Sequence, residues 1–266
     1  MTLAATVTIG VFGLFHPHAL EVEPWGSSRV ELTCGTTSRV IEGSMKLRLT
    51  SDCSASGLNG APADFLLSVP GRIRRHYQGT LRVTRLPAGE LIASVTMALE
   101  TAVASTVAAE APPDAPAPML EAQAIVTRSY FAAGGQHRHQ HFGFCDTTHC
   151  QFIKDPPPAE SPASQATRAT SGQVLVYHGR LFAPFYAARC DGLLAPLPAS
   201  RVGPGDYPYF AVKCGYCLRN PSKAAAKANS RPHHHGMCQL GANNLARHGS
   251  TAAQILAHYY PGAELR

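Results

Sequence analysis

The sequence lacks an apolar run of the roughly 20 residues that a membrane-spanning helix needs. Neither Lys nor Arg precedes the apolar stretch of residues 1–15, so this segment predicts a β-strand and not a signal peptide. No export signal is therefore visible: either the chain starts after a removed signal, or export is not encoded here. We also find no internal repeat.

Charged residues are scarce, at 15% of the 266 residues, whereas glycine and proline are plentiful, at 23 and 21 residues. This composition excludes a coiled coil or a disordered chain and predicts a loop-rich globular protein. The net charge of +6 favours anionic partners, either nucleic acid or a cell-wall polymer that bears carboxylates. No segment interleaves basic and aromatic residues as nucleic-acid-binding motifs do, so we expect no nucleic-acid partner.

The hydrophobic pattern predicts an α+β fold, with a β-rich N-terminal portion followed by a mixed α/β portion. Alternating apolar residues predict strands up to about residue 96, and helical spacing predicts helices over 97–110 and 119–133. Four prolines in 111–118 end the first helix. Further predictions are a short strand at 150–153, an exposed loop at 155–163, a hairpin at 172–189 that turns at His178-Gly179, and two C-terminal helices separated by Gly249.

Eight cysteines and 13 histidines suit either disulfides or metal binding. Cys34 and Cys53 lie at strand ends, where they form a disulfide or remain two inert thiols. A second group of cysteines and histidines lies within residues 137–150. Its members are His137, His139, His141, Cys145, His149 and Cys150. Thiolates and imidazoles are the preferred ligands of zinc. The alternatives are a Cys145–Cys150 disulfide with solvated histidines, or neither a metal nor a disulfide.

The remaining cysteines are Cys190, Cys214, Cys217 and Cys238, for which a second zinc site and two disulfides are the open alternatives. The segment 214–217 reads CGYC, a pattern also found in redox proteins. Thioredoxin-like redox catalysis requires a strand followed directly by a helix that begins at the first cysteine of the pair. The sequence predicts a turn after this strand instead, which disfavours redox catalysis.

Four blocks of sequence resemble the stage II sporulation protein D / amidase-enhancer (LytB-type) family. In chain order they are YQGTLRV with MALETAVASTVAAEAP, LEAQAIVTRSY, FCDTTHCQ, and HHHGMCQLGANNLARHGSTAAQILAHYYPGAEL. The resemblance implies a β-rich portion at residues 1–84 and a family portion at 85–266 that carries a substrate groove. The family's active members are peptidoglycan lytic transglycosylases, which cleave between N-acetylmuramic acid and N-acetylglucosamine and leave 1,6-anhydro ends.

Glu110 matches the family's catalytic glutamate, at the end of the first helix. One carboxyl can suffice, because it protonates the glycosidic oxygen and then takes the proton of the attacking C6 hydroxyl. Burial among apolar neighbours would keep such a carboxyl partly protonated. The alternative is that Glu110 merely occupies a helix end at the surface.

The resemblance also assigns substrate-binding roles to six residues. Arg128 matches a groove arginine suited to the lactyl carboxylate of muramic acid, with an ordinary surface arginine or an ion pair to Glu121 or Asp114 as the alternative. The others are Gln123, Tyr130, Tyr186, His233 and Gln239. The implied zinc ligands are His139, Cys145, His149 and Cys150, with a structural role for the metal. His141 or His137 is a substitute, because two adjacent ligands are geometrically demanding.

The sequence departs from the family pattern at 187–192 (AARCDG) and at 233–239 (HHHGMCQ), and these departures bear on turnover more than on the fold. The leading expectation is cleavage of peptidoglycan glycan strands at the cell envelope or outside the cytoplasm. A non-catalytic glycan-binding protein that enhances a cell-wall amidase is the alternative. A third class is a structural envelope protein held together by zinc or disulfides.

Overall fold

A computed structural model describes residues 3, 5–135, 139–203, 205–220 and 235–266, which fold into two compact units. The first unit comprises Met1–Ala109 and Gly135–Pro157, and the second comprises Glu110–Gly134 and Pro158–Arg266. The boundary implied by the family resemblance, between residues 84 and 85, stays a prediction. That boundary marks where the sequence begins to resemble the family, whereas the two units are defined by contacts within the structure.

The described part of the first unit contains one sheet of ten strands. The strands are β1 Thr6–Val11, β2 Leu20–Pro24, β3 Val30–Cys34, β4 Thr37–Ile41, β5 Leu47–Leu49, β6 Cys53–Ser56, β7 Ala63–Val69, β8 Ile73–Arg85, β9 Leu91–Ala98 and β10 Phe144–Cys145. The main path runs β10-β1-β9-β8-β6-β3-β4, while β2 joins β5 and β7, and β7 pairs with β8. Side chains alternate between buried and more exposed positions along β2 and β8, as expected for a sheet with one face on a core.

The long strand β8 changes partner at Gly79. Its first half pairs with β7 up to Gly79, and from Thr80 onward it pairs with β9. A Cβ atom at position 79 would overlap the backbone carbonyl oxygen of Thr96. Only glycine permits this close approach of two backbones. A disulfide joins Cys34 and Cys53 across the neighbouring pair β3–β6, so the disulfide alternative is confirmed.

The second unit packs around a nearly fully buried helix, α2. Helix α1, Leu99–Glu110, belongs to the first unit except for its last residue, Glu110. The helices of the second unit are α2 Ala117–Ala132, α3 Pro162–Ala169, α4 Gly215–Arg219, α5 Gln239–Arg247 and α6 Ala252–Tyr259. The strands are β11 Leu175–Tyr177, β12 Arg180–Leu181, β13 Tyr186–Ala187, β14 Leu193–Leu194, β15 Val212–Lys213, β16 Met237–Cys238 and β17 Glu264–Leu265. They form the small sheets β12-β11-β17, β13-β16 and β14-β15.

The predicted α+β class is confirmed, as are α1, α2, and the helices α5 and α6 on either side of Gly249. The hairpin turn is also confirmed, because His178 and Gly179 both have positive φ, at 48° and 74°. None of the helices in the described part of the chain combines the length and apolar character needed to span a bilayer.

Two local predictions are wrong. Residues 150–153 form no strand. The strand is β10 at 144–145, because parallel pairing of Ile9 with Phe144 and Gly10 with Cys145 fixes the backbone there. The CGYC segment does not precede a simple turn either. Cys214 is the N-cap of the short helix α4, which follows strand β15.

Candidate functional site

Glu110 is the last residue of α1 and is partly exposed. Its carboxylate accepts a hydrogen bond from the hydroxyl of Tyr186. Its backbone carbonyl accepts a hydrogen bond of 3.1 Å from the Nε2 atom of Gln239. The residue is therefore held at both its side chain and its backbone.

Three further contacts close a ring of polar groups beside Glu110. The Nε2 atom of Gln239 lies 3.3 Å from Oε1 of Gln123, and the Nε2 atom of Gln123 donates to Oγ1 of Thr127 at 3.4 Å. Thr127 in turn donates its hydroxyl to the oxygen of Tyr186. Gln123 and Thr127 are fully buried, and Gln239 is almost so. Buried polar groups that satisfy one another in this way rigidify their surroundings.

The ring has a clear electrostatic effect on Tyr186. Burial, and then the neighbouring Glu110 carboxylate, raise the pKa of Tyr186 well above its ordinary value. The phenol therefore stays protonated and donates its hydrogen to the carboxylate.

The strand pair β13–β16 positions Tyr186 and Gln239 together. These parallel strands place Tyr186 opposite Met237 and Ala187 opposite Cys238, immediately before Gln239. Gly236 has a φ of 76°, and a Cβ atom there would overlap the carbonyl oxygen of Phe185. A glycine is therefore required just before β16 for the strands to pair.

Arg128 lies on α2 with no solvent exposure. Its guanidinium donates to the carbonyl of Thr167 at the end of α3 and to the carbonyl of Gln173, each at 3.1 Å. The carboxylate of Asp114, named as an ion-pair alternative, pairs with Arg247. These contacts favour a structural role for Arg128 over direct contact with a substrate carboxylate.

Tyr130, also on α2, is only 3% exposed and lies edge-on to Phe131. Its burial likewise favours a place in the packing around α2. Two other candidates, His233 and the substitute ligand His137, lie outside the described residues.

His139, Cys145, His149 and Cys150 converge in the first unit, with their ligand atoms within 4.8 Å of one another. The Nε2 atom of His139 is 3.1 Å from the sulfur of Cys150, and Nδ1 of His149 is 3.7 Å and 3.8 Å from the sulfurs of Cys145 and Cys150. Zinc–ligand bonds of about 2.0–2.3 Å in a tetrahedron separate nitrogen and sulfur ligands by about 3.6 Å. The four residues therefore fit a metal ion.

The environment of Cys145 favours the thiolate form of its sulfur. A hydrogen bond from Cys150, helped by bonds from Thr147 and His149 and opposed by burial, lowers the pKa of Cys145 to about 4. Thiolates are the form that binds metals. His141, the substitute ligand, is exposed and lies outside the four-residue cluster.

Asp146 anchors the loop that carries these ligands. Although burial raises its pKa, its carboxylate accepts hydrogen bonds from Arg75 at 2.8 Å and from the backbone N–H of Phe12 at 3.3 Å. A cavity of about 470 Å³ adjoins the loop, with Cys145, Asp146, His149, Leu14 and Ile92 among its lining residues. Both this Cys/His cluster and the cavity belong to the first unit.

Thr127 and Asp146 are site residues that sequence reasoning missed. Each lies inside a segment already singled out, Thr127 in LEAQAIVTRSY and Asp146 in FCDTTHCQ. A buried polar residue in a largely apolar helix, and a carboxylate between two candidate metal ligands, are the signals that could have identified them.

Comparison with known proteins supports the family assignment for part of the chain. Residues 88–177 match the SpoIID family, described as "Stage II sporulation protein". A search of curated proteins finds no match. The family match supports a role related to the cell wall or to sporulation. The resemblance is thus confirmed over these residues: the chain carries a stage II sporulation protein (SpoIID) domain at 88–177, consistent with the SpoIID/LytB family.

Proposed function

We propose that the chain cleaves peptidoglycan glycan strands as a lytic transglycosylase, with Glu110 as the catalytic residue. The observation that carries the proposal is the polar ring that holds a partly exposed glutamate at the end of α1. The glutamate lies within the matched domain, at the position that the family resemblance assigns to catalysis.

The chemistry needs one carboxyl group in two successive roles. Protonated Glu110 gives its proton to the glycosidic oxygen, and the bond between that oxygen and the anomeric carbon of muramic acid breaks. The C6 hydroxyl of the same sugar then attacks the anomeric carbon, and the Glu110 carboxylate takes the hydroxyl proton. A 1,6-anhydro ring forms, water is not consumed, and the carboxyl returns to its starting state.

Tyr186 and the two glutamines serve this cycle by fixing Glu110. The Tyr186 hydroxyl, which stays protonated, donates to the carboxylate and stabilises the charge left after the first proton transfer. Tyr186 is partly exposed, so its ring is also available to a sugar face. Gln123 and Gln239 are buried, so we assign them to positioning Glu110 and Tyr186.

Arg128 enters the proposal as a positioning residue. Its bonds to Thr167 and Gln173 connect α2, which carries Gln123 and Thr127, to the end of α3 and the start of the following hairpin. Tyr130 belongs to the same packed helix. His233 keeps its proposed substrate role on the strength of the family motif alone.

A zinc ion held by His139, Cys145, His149 and Cys150 is part of the proposal. Four protein ligands leave no open coordination position, so the metal would hold its loop in place and would not activate water. The donor set of two sulfurs and two imidazole nitrogens suits zinc.

The proposed place of action is the cell envelope or another site outside the cytoplasm. The Cys34–Cys53 disulfide supports this, because structural disulfides persist in oxidising compartments. The net charge of +6 supports an anionic polymer as the partner.

The second candidate is a glycan-binding protein that enhances a cell-wall amidase without cutting the strand itself. The placement of Arg128 favours this candidate, because the cation expected beside a substrate carboxylate donates to backbone carbonyls instead.

Digestion of peptide-free glycan strands separates the two candidates. The wild-type chain should release fragments with 1,6-anhydromuramic ends, detected by mass spectrometry, and Glu110→Gln should release none while it still binds and sediments with the strands. Glu121→Gln makes the same chemical change at a partly exposed position of α2 and should cut normally. If wild type and Glu110→Gln bind strands equally and neither forms anhydro ends, the enhancer function replaces the enzymatic one.

A further inference from the structure

Cys190, Cys214, Cys217 and Cys238 meet inside the second unit. Their four sulfur atoms all lie within 4.8 Å of one another, and each residue is at most 1% exposed. Three separate segments bring them together: the loop before β14, the start of α4, and the end of β16. The role of these cysteines is not accounted for by the polar ring or by the cluster of the first unit.

The distances suit a shared metal ion and not two disulfides. A disulfide requires sulfurs about 2.05 Å apart, and the bonded Cys34–Cys53 pair is at 2.07 Å. The sulfurs of Cys217 and Cys238 are 3.6 Å apart, and all four thiols are unbonded. Four sulfurs at about 2.3 Å from a central zinc are separated by about 3.8 Å in a regular tetrahedron.

Hydrogen-bond donors lie next to the cysteine sulfurs, as they do next to thiolates that bind a metal. The backbone N–H of Gly241 donates to the sulfur of Cys238 at 3.4 Å, and the hydroxyl of Tyr259 lies 3.6 Å from the sulfur of Cys214. A Cβ atom at position 241 would overlap both that hydroxyl and the Cys214 sulfur. Hydrogen-bond donors around the ligand sulfurs orient them and stabilise their charge.

We propose that these four cysteines bind one zinc ion in a closed tetrahedral site. Four thiolates are a ligand set that selects zinc or iron–sulfur centres among biological metals, and the spacing of Cys214 and Cys217 is typical of structural zinc sites. Because all four positions are filled by protein, the ion stabilises the fold and performs no chemistry. Burial of every sulfur also excludes thiol–disulfide exchange with a partner, which requires access.

The proposed zinc site lies next to two residues of the polar ring, Tyr186 and Gln239. Cys238 directly precedes Gln239, and Ala187 pairs with Cys238 one residue after Tyr186. Zinc would thus connect α4 and the loop after β13 to the start of α5. This inference does not depend on glycan cleavage, since metal binding is measured independently of activity.

Metal analysis of three full-length proteins tests the proposal. The Cys145→Ser/Cys150→Ser variant removes two ligands of the first cluster and should retain about one equivalent of zinc per chain. Adding Cys217→Ser to that variant should remove this zinc, whereas adding Cys217→His, which restores a ligand, should return it. Equal zinc content with and without Cys217→Ser overturns the proposal, as does iron in place of zinc.

Thiol mapping of the wild-type chain covers the case in which variants fail to fold. The four cysteines should resist alkylation in the native protein and should all be alkylated after denaturation with a chelator and without a reductant. Cys34 and Cys53 should remain unmodified in the same sample, as the disulfide control. Cys190, Cys214, Cys217 and Cys238 found as disulfide-linked peptides would overturn the zinc assignment.

Discussion

The side-chain amide of Gln239 donates to the backbone carbonyl of Glu110 at 3.1 Å, across a sequence separation of 129 residues. The same nitrogen lies 3.3 Å from the amide oxygen of Gln123. One buried side chain at the start of α5 thus connects the end of α1 to α2. The amide fixes the backbone from which the Glu110 side chain projects.

Gln239→Leu should destabilise the protein and slow strand cleavage. The substitution leaves a part-buried carbonyl of Glu110 and the buried amide oxygen of Gln123 without this donor, a loss of about 1–3 kcal/mol in the free energy of unfolding. Urea unfolding and release of anhydro ends measure the two effects. Gln165→Leu removes an exposed amide that donates to the Glu160 carbonyl, and should cost under about 0.5 kcal/mol. Equal costs for the two variants would contradict the role of the ring.

Arg128→Met should act on stability more than on glycan binding. The variant leaves the carbonyls of Thr167 and Gln173 without their charged donor, so we expect a loss of about 2–4 kcal/mol by urea unfolding. Arg128→Lys should recover little, because one ammonium cannot reproduce the fork of the guanidinium. Arg168→Met is the control, because Arg168 donates to the Ala159 carbonyl at an exposed site. Unchanged stability with weakened strand binding would instead favour contact with the substrate carboxylate.

His149→Ala should remove the metal from the first cluster, whereas His141→Ala should leave it bound. The Nδ1 atom of His149 is within 3.8 Å of both cysteine sulfurs, and His141 lies outside the cluster. Zinc analysis in a Cys217→Ser background isolates this site from the four-cysteine site. Loss of metal in His141→Ala and its retention in His149→Ala would exchange the roles of the two histidines.

Much of the fold and part of the site could be predicted from the sequence. Helical spacing located α1 and α2, and proline and glycine marked their ends, because these signals are local in the chain. The Cys/His cluster of the first unit was predictable for the same reason, since three of its four residues lie within residues 145–150. The ring around Glu110 required the family resemblance, which named Gln123, Tyr186 and Gln239 but not the contacts between them.

The direction of the Arg128 side chain could not be predicted. Helix α2 is buried on nearly every side, so its residue pattern carries little information about which side faces which neighbour. The misplaced strand at 150–153 has a similar origin. Short strands such as β10 are defined by their pairing with a distant strand, here β1, and a two-residue segment has no periodicity of its own.

Three buried tyrosines of the second unit make its stability sensitive to alkaline pH. Burial raises the pKa of Tyr207, Tyr209 and Tyr260 above the ordinary value. Their hydroxyls donate to the carbonyls of Pro261, Ala183 and Phe185, respectively. The folded chain therefore keeps three phenol protons that the unfolded chain loses near pH 10.

Tyr260→Phe should make the free energy of unfolding depend less steeply on pH above pH 10. Below about pH 10 the tyrosine is protonated in both the folded and the unfolded chain, so its contribution to the free energy of unfolding is fully present. Above that pH the unfolded state binds fewer protons, and each buried tyrosine lowers the free energy of unfolding by about 1.4 kcal/mol per pH unit. Urea unfolding between pH 7 and pH 11 should show the variant about 1 kcal/mol less stable at neutral pH, because the Phe185 carbonyl loses one donor. The two curves should then converge above pH 10, and parallel curves would show that Tyr260 ionises equally in both states.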